Sequence, residues 1–141
     1  MLQLHTRNLG DIVVAEDRIY NFPFGLPGFP NLQSYALIAD PVDELGIFFW
    51  LQSLDDVDVS FCLVDLSKLM PEYKPRVGGD FAVGDCLVYN IAVIPEDPRD
   101  MTVNLRAPVI INLQAKQGMQ FVCHNEDYAI RHRLFEQPKI Q

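Results

Sequence analysis

The chain has 141 residues, room for one domain and too little for two, since domains most often run to about 100–150 residues. Its hydrophobic share of 49% and mean hydropathy of +0.06 exclude a disordered chain, which combines low hydrophobicity with high net charge. Eleven Lys and Arg against 19 Asp and Glu leave a net charge of −8 and no basic cluster, which argues against direct nucleic-acid binding and favours encounter with a basic protein.

Residues 2–7 alternate apolar and polar, as a half-buried strand does. Residues 8–11 supply turn chemistry, Ile12, Val13 and Val14 begin a second strand, and residues 18–22 alternate again. Residues 23–30 read Pro-Phe-Gly-Leu-Pro-Gly-Phe-Pro. Three prolines and two glycines forbid helix and regular ladder alike, so Phe24, Leu26 and Phe29 are expected on an ordered loop.

Strands are expected next at 35–39, 46–52 and 59–64, separated by Asp40-Pro41 and Leu54-Asp55-Asp56. Phe48 and Trp50 fall on one face of their strand, with Phe49 and Leu51 on the other. Either both faces are covered within the protein or one meets a partner. Residues 66–73 carry the only helix-like spacing, Leu66, Leu69 and Met70, with Asp65 or Ser67 as N-cap and Pro71 limiting it to a turn or two. After the Gly78-Gly79 break, strands are expected at 86–94, 101–105, 109–112, 119–124 and 128–134.

Nine or ten short strands and one small helix predict a mainly β, single-domain fold over residues 1–141. The expected form is a closed or nearly closed antiparallel β-barrel, with a two-sheet sandwich as the alternative. There is no internal repeat, low-complexity tract or linker.

Chemistry leaves few marks. Cys62, Cys86 and Cys123 are odd in number, far apart and set in apolar runs, so reduced core thiols are expected rather than a redox pair or zinc site. Cys123 and His124 are neighbours in a strand-like run, where adjacent side chains point to opposite faces and cannot act as nucleophile and base. His5 and His132 lie near opposite ends of the chain. Asp55-Asp56-Val57-Asp58 lacks the spacing, glycine and closing glutamate of a calcium loop. Asp80, Gly84 and Asp85 have turn character, and Gly78-Gly79 lacks the Lys and Ser/Thr of a phosphate loop. No cofactor and no enzyme activity are expected. With no apolar leader and no run of about 20 apolar residues, a cytoplasmic protein without membrane association is expected.

The run Asn104-Leu105-Arg106-Ala107-Pro108-Val109-Ile110-Ile111-Asn112 resembles the signature of the FliW family of flagellar assembly factors. So do Phe22-Pro23-Phe24-Gly25-Leu26-Pro27-Gly28-Phe29, Phe49-Trp50-Leu51-Gln52-Ser53, Met101-Thr102-Val103-Asn104 and Tyr128-Ala129-Ile130-Arg131, in family order along nearly the whole chain. Leu66, where the family often has proline, and the glycine-rich stretch 76–84 depart from the pattern.

The resemblance implies a binder that catalyses nothing. It would hold newly made flagellin and, alternately, the translational repressor CsrA, a small RNA-binding protein, acting on CsrA non-competitively with RNA and being monomeric when free. Phe24, Leu26 and Phe29 of the loop, with Met101, Val103 and Leu105, are the expected apolar contacts. Pro108 and Ile110 would join them at a strand edge, with Asn104 and Arg106 either touching the partner or tying loops to backbone. The competing reading is a small-ligand or hydrolytic barrel using its mouth as a pocket.

Overall fold

A computed structural model describes residues 1–76, 85–123 and 128–135. Eleven strands follow in chain order: β1 Leu2–Thr6, β2 Gly10–Val14, β3 Ile19–Asn21, β4 Ser34–Ala39, β5 Phe48–Ser53, β6 Ser60–Val64, β7 Cys86–Val93, β8 Thr102–Val103, β9 Val109–Asn112, β10 Gln117–Gln120 and β11 His132–Arg133. β1 and β2 form a separate hairpin, tied to the rest where Arg7 donates its N–H to the Val57 carbonyl (3.2 Å) and Asn8 Nδ2 donates to Ser60 Oγ (2.7 Å).

Seven strands close a barrel in the order β7-β6-β5-β4-β3-β10-β9, and β9 returns to β7. Strict antiparallel order is broken once, where β10 meets β3 in parallel at Gln117 opposite Asn21. A ring with an odd number of strands cannot alternate direction all the way round, so one parallel seam is unavoidable.

The helix expected at 66–73 does not form. Met70 donates to the Leu66 carbonyl (2.8 Å) and Tyr73 to Met70 (3.0 Å), and Pro71 allows nothing longer. Among the described residues helix is confined to two 3-10 turns, Glu16–Arg18 and Pro98–Asp100, and no helix is long and apolar enough to cross a membrane. The strand expected at 119–124 runs instead from Gln117 to Gln120, and of 128–134 only His132–Arg133 is strand. Gly78-Gly79, Asp80, Gly84 and His124 lie outside the described residues.

The barrel is filled by Tyr20, Phe22, Tyr35, Leu37, Leu51, Leu63, Tyr89, Val109 and Ile111, with Leu26 entering from the proline-glycine loop. A second apolar cluster lies on the opposite face of the same wall: Ile47, Cys62, Val64, Leu66, Ala92, Met101, Val103 and Leu105, with Phe48, Trp50, Met70 and Tyr73 against it. Strand alternation explains both, and it answers the aromatic run. Phe49 and Leu51 face the barrel core, while Phe48 and Trp50 are covered from outside by the chain's own segments. Trp50 Nε1 donates to Asp40 Oδ2 at 3.1 Å.

Candidate functional site

One edge of β7 is shared between two partners. Its first half pairs with β9 through Tyr89 opposite Val109, and its far end with β8 through Ala92 opposite Val103. Between those pairs β7 advances by two residues, Asn90 and Ile91, while the other chain spends five, residues 104–108. The surplus must leave the ladder, as in an enlarged bulge.

Leaving the ladder exposes backbone groups to loss of their partners, and side chains from four directions restore them. Asn104 Oδ1 accepts from the N–H groups of Arg106 (3.0 Å) and Ala107 (3.2 Å). Asn90 Nδ2 donates to the Asn104 carbonyl (2.8 Å), and the Tyr73 hydroxyl to the Leu105 carbonyl (2.6 Å). Gln120 Nε2 donates to the Ala107 carbonyl (3.1 Å). Arg106 Nε donates to the Tyr128 carbonyl (2.9 Å), and Leu105 N–H to that of Ala129 (3.0 Å). Pro108, with no N–H to satisfy, turns the chain back into β9 while its carbonyl accepts from Phe121 (2.9 Å).

The ten sequence-selected residues therefore divide. Met101, Val103, Leu105, Pro108 and Ile110 are buried, Ile110 at 0% exposure. They are packed in the core of the chain as it stands alone. Leu26 is buried likewise. Asn104 and Arg106 are half-buried and engaged in the bonds just given. Phe24, at 70% exposure, and Phe29, at 39%, remain on the surface. Phe29 leans edge-on against Phe61, with ring centroids 6.0 Å apart.

Gly25 sets this loop. Its φ is +65°, and a Cβ there would lie 2.4 Å from the Phe29 carbonyl oxygen, so only glycine allows the turn that presents Phe24 outward. Beneath the loop lies a hollow of about 390 Å³ bounded by Phe24, Leu26, Pro27, Met119 and Gln120. A second, of about 220 Å³, shares Pro27 and Gln120 and continues past Phe61, Ile91 and Val93 to Ile130 and Arg131. The two hollows adjoin at Pro27 and Gln120 and together make an open, mostly apolar groove. Val93 and Ile130 are exposed by 63% and 54%. Neither was singled out from the sequence as a contact. Val93 is one more apolar residue of a regular strand, and Ile130 stood only within a recognised segment.

Among the described residues, two of the thiols and the acidic turn are each engaged locally. Burial, with the Asp40 carboxylate nearby, pushes the Cys62 thiol up to about 12. Cys123 is also raised by burial, its Sγ 3.7 Å from the Arg76 carbonyl. The acidic turn spends its oxygens on backbone: Asp55 Oδ2 accepts from Gln33 (2.9 Å) and Ser34 (3.1 Å), and Asp56 Oδ1 from Asp58 (3.0 Å). Among the described residues no three His, Cys, Asp or Glu side chains are grouped to hold a metal.

A family model described as FliW protein matches residues 3–134. The flagellar assembly factor FliW of Caldanaerobacter subterraneus subsp. tengcongensis is 34% identical over 145 residues, covering 98% of this chain and 96% of that one. That of Leptospira interrogans serovar copenhageni is 33% identical over 148 residues, covering 99% and 97%. A crystal structure of the flagellar assembly factor FliW superposes with a TM-score of 0.83 at 27% identity, covering 96% of this chain and 98% of the other.

Proposed function

The chain belongs to the FliW family, and from that membership we propose that it couples flagellin synthesis to flagellin export by binding, in alternation, flagellin and the translational repressor CsrA. The match spans 98% of the chain and 96% of its Caldanaerobacter relative, so the reading concerns the whole protein. The observation that carries it is the open apolar groove from Phe24 to Ile130 on a chain of net charge −8. Apolar side chains that a monomer leaves exposed in a continuous groove are what a protein partner covers.

The mechanism is occupancy in the cytoplasm. Each partner lowers the free concentration of the shared binder, so the balance of affinity and abundance sets how much CsrA is free to repress. The acid excess speeds encounter with a basic partner and, once bound, weakens its attraction for RNA phosphates from a distance. No bond is made or broken.

The test is a mixing experiment with purified protein, flagellin and CsrA, in pairs and all together, read by size-exclusion chromatography and isothermal titration. Each pair should form, and flagellin should displace CsrA. A stable ternary complex in which neither partner weakens the other would overturn alternation. Association with CsrA should slow as salt rises, since steering is screened within about 10 Å at 0.1 M.

A further inference from the structure

β10 continues after its neighbour β3 has ended. The two meet in parallel at Gln117 opposite Asn21, where Asn21 donates its N–H to the Lys116 carbonyl (2.9 Å). In a parallel ladder the next such bond would run from residue 23 to the Gly118 carbonyl. Residue 23 is proline, which has no N–H to give, and the chain turns there into the proline-glycine loop.

On its other side β10 stays paired with the chain leading into β9. Beyond Gln120 opposite Val109, Phe121 donates to the Pro108 carbonyl (2.9 Å) and Cys123 to the Arg106 carbonyl (2.7 Å). Peptide groups alternate along a strand, so those of Gln120 and Val122 point the opposite way, to the side β3 has left. Among the described residues nothing pairs with them there. The edge is open to the outside: Gln120 borders both hollows of the groove, and Val122 is exposed. A row of unpaired N–H and C=O groups on a strand edge is a template for another strand.

Resting on the function proposed above, we propose that flagellin enters the groove as an extended segment added to this edge of β10, in the place β3 vacates. The unmet groups recur at every second residue, a spacing that a strand matches and a helix does not. Alternate side chains of the added segment would fall into the hollow between Met119 and the loop residues Phe24, Leu26 and Pro27, so bulky apolar residues are expected at every second position. Charge decides between the two partners. Among the described residues no acid lines either hollow, and the one charge along them is Arg131. A basic repressor gains nothing from that wall and is drawn to the acids elsewhere. Strand addition also needs a segment whose own backbone is unspent, which a chain between synthesis and export offers. Alternation then requires only that the two bound bodies overlap, not that they share contacts.

The test compares Val122→Pro with Val122→Ala in the full chain, by isothermal titration against flagellin and against CsrA. Proline removes one edge N–H and no bond on the β9 side, whereas alanine removes the side chain and keeps the N–H. Val122→Pro should weaken flagellin binding by about tenfold or more and Val122→Ala by less than about twofold, with CsrA affinity and circular dichroism unchanged in both. Amide hydrogen exchange at Gln120 and Val122 of the unsubstituted protein should slow when flagellin is added. Flagellin binding that survives Val122→Pro, or that falls equally with Val122→Ala, would overturn strand addition and leave the binding function standing. Loss of CsrA binding in place of flagellin binding would overturn the choice of occupant. If Val122→Pro does not fold, exchange in the unsubstituted complex decides, and unslowed Gln120 and Val122 amides overturn the proposal. An unsubstituted chain that binds neither partner would overturn the function itself, and this inference with it.

Discussion

The ring of Phe22 stands where any side chain at position 118 would have to be: a Cβ on Gly118 would lie 2.1 Å from Phe22 Cζ. Phe22 is fully buried and packs edge-on against Tyr35, with ring centroids 5.2 Å apart, so it has nowhere to move. The loop that presents Phe24 leaves the barrel directly from this ring. Gly118→Ala should therefore destabilise the protein by about 1–3 kcal/mol through overpacking, measured by urea unfolding. Phe22→Leu in the same chain should recover part of that loss, and strict additivity of the two changes would show that ring and glycine do not meet.

Tyr73 holds the excursion at 104–108 from outside the barrel. Tyr73→Phe leaves the Leu105 carbonyl and one Asn90 proton unmet, and should cost about 1–3 kcal/mol. Amide hydrogen exchange should quicken at Leu105 and Arg106 while β4 and β5 stay protected. Exchange that rises uniformly would mean the hydroxyl serves the fold as a whole.

Surface and core candidates should part cleanly under substitution. Phe24→Asp and Ile130→Asp lie on exposed groove positions and should alter stability by less than about 0.5 kcal/mol. Each should weaken flagellin or CsrA binding at least tenfold, which is about 1.4 kcal/mol. Ile110→Asp buries an unpaired charge and should unfold the chain, as circular dichroism will reveal. Full partner affinity in folded Phe24→Asp and Ile130→Asp proteins would move the contact surface elsewhere.

Tyr35, Tyr73 and Tyr89 are each pushed up to about 12 from an ordinary value of 10, chiefly by burial. A raised folded value means the folded state favours the protonated phenol. Its contribution is intact below the unfolded value of 10 and is lost as pH rises from there through about 12. Stability should thus be flat in this respect through neutral pH and fall steeply in alkali, with the phenolates of these three residues, followed by residue-resolved NMR, appearing together with loss of ellipticity. Phenolate formation near pH 10 at Tyr35, Tyr73 or Tyr89 in a chain that remains folded would contradict the burial.

Much of this architecture was legible residue by residue. Alternation at 35–39 and 59–64 placed strands to within a residue or so of their bounds, because a half-buried strand writes its period of two directly into the chain. Proline and glycine at 23–30 marked an ordered loop for the same local reason, and recognised segments along nearly the whole chain named the family. The helix at 66–73 misled because one i, i+4 turn and a longer helix share the same apolar spacing when a proline follows.

The sequence by itself determined the class of fold, the family and the acid character, all of which depend on residue type and local period. Only the tertiary structure decided which apolar residues meet solvent. Ile110 and Val93 are equally apolar strand residues, yet the first is sealed in the core while the second lines the groove. That difference is made by which strands close the ring and where the five residues at 104–108 leave it, a matter of long-range pairing that no local pattern encodes.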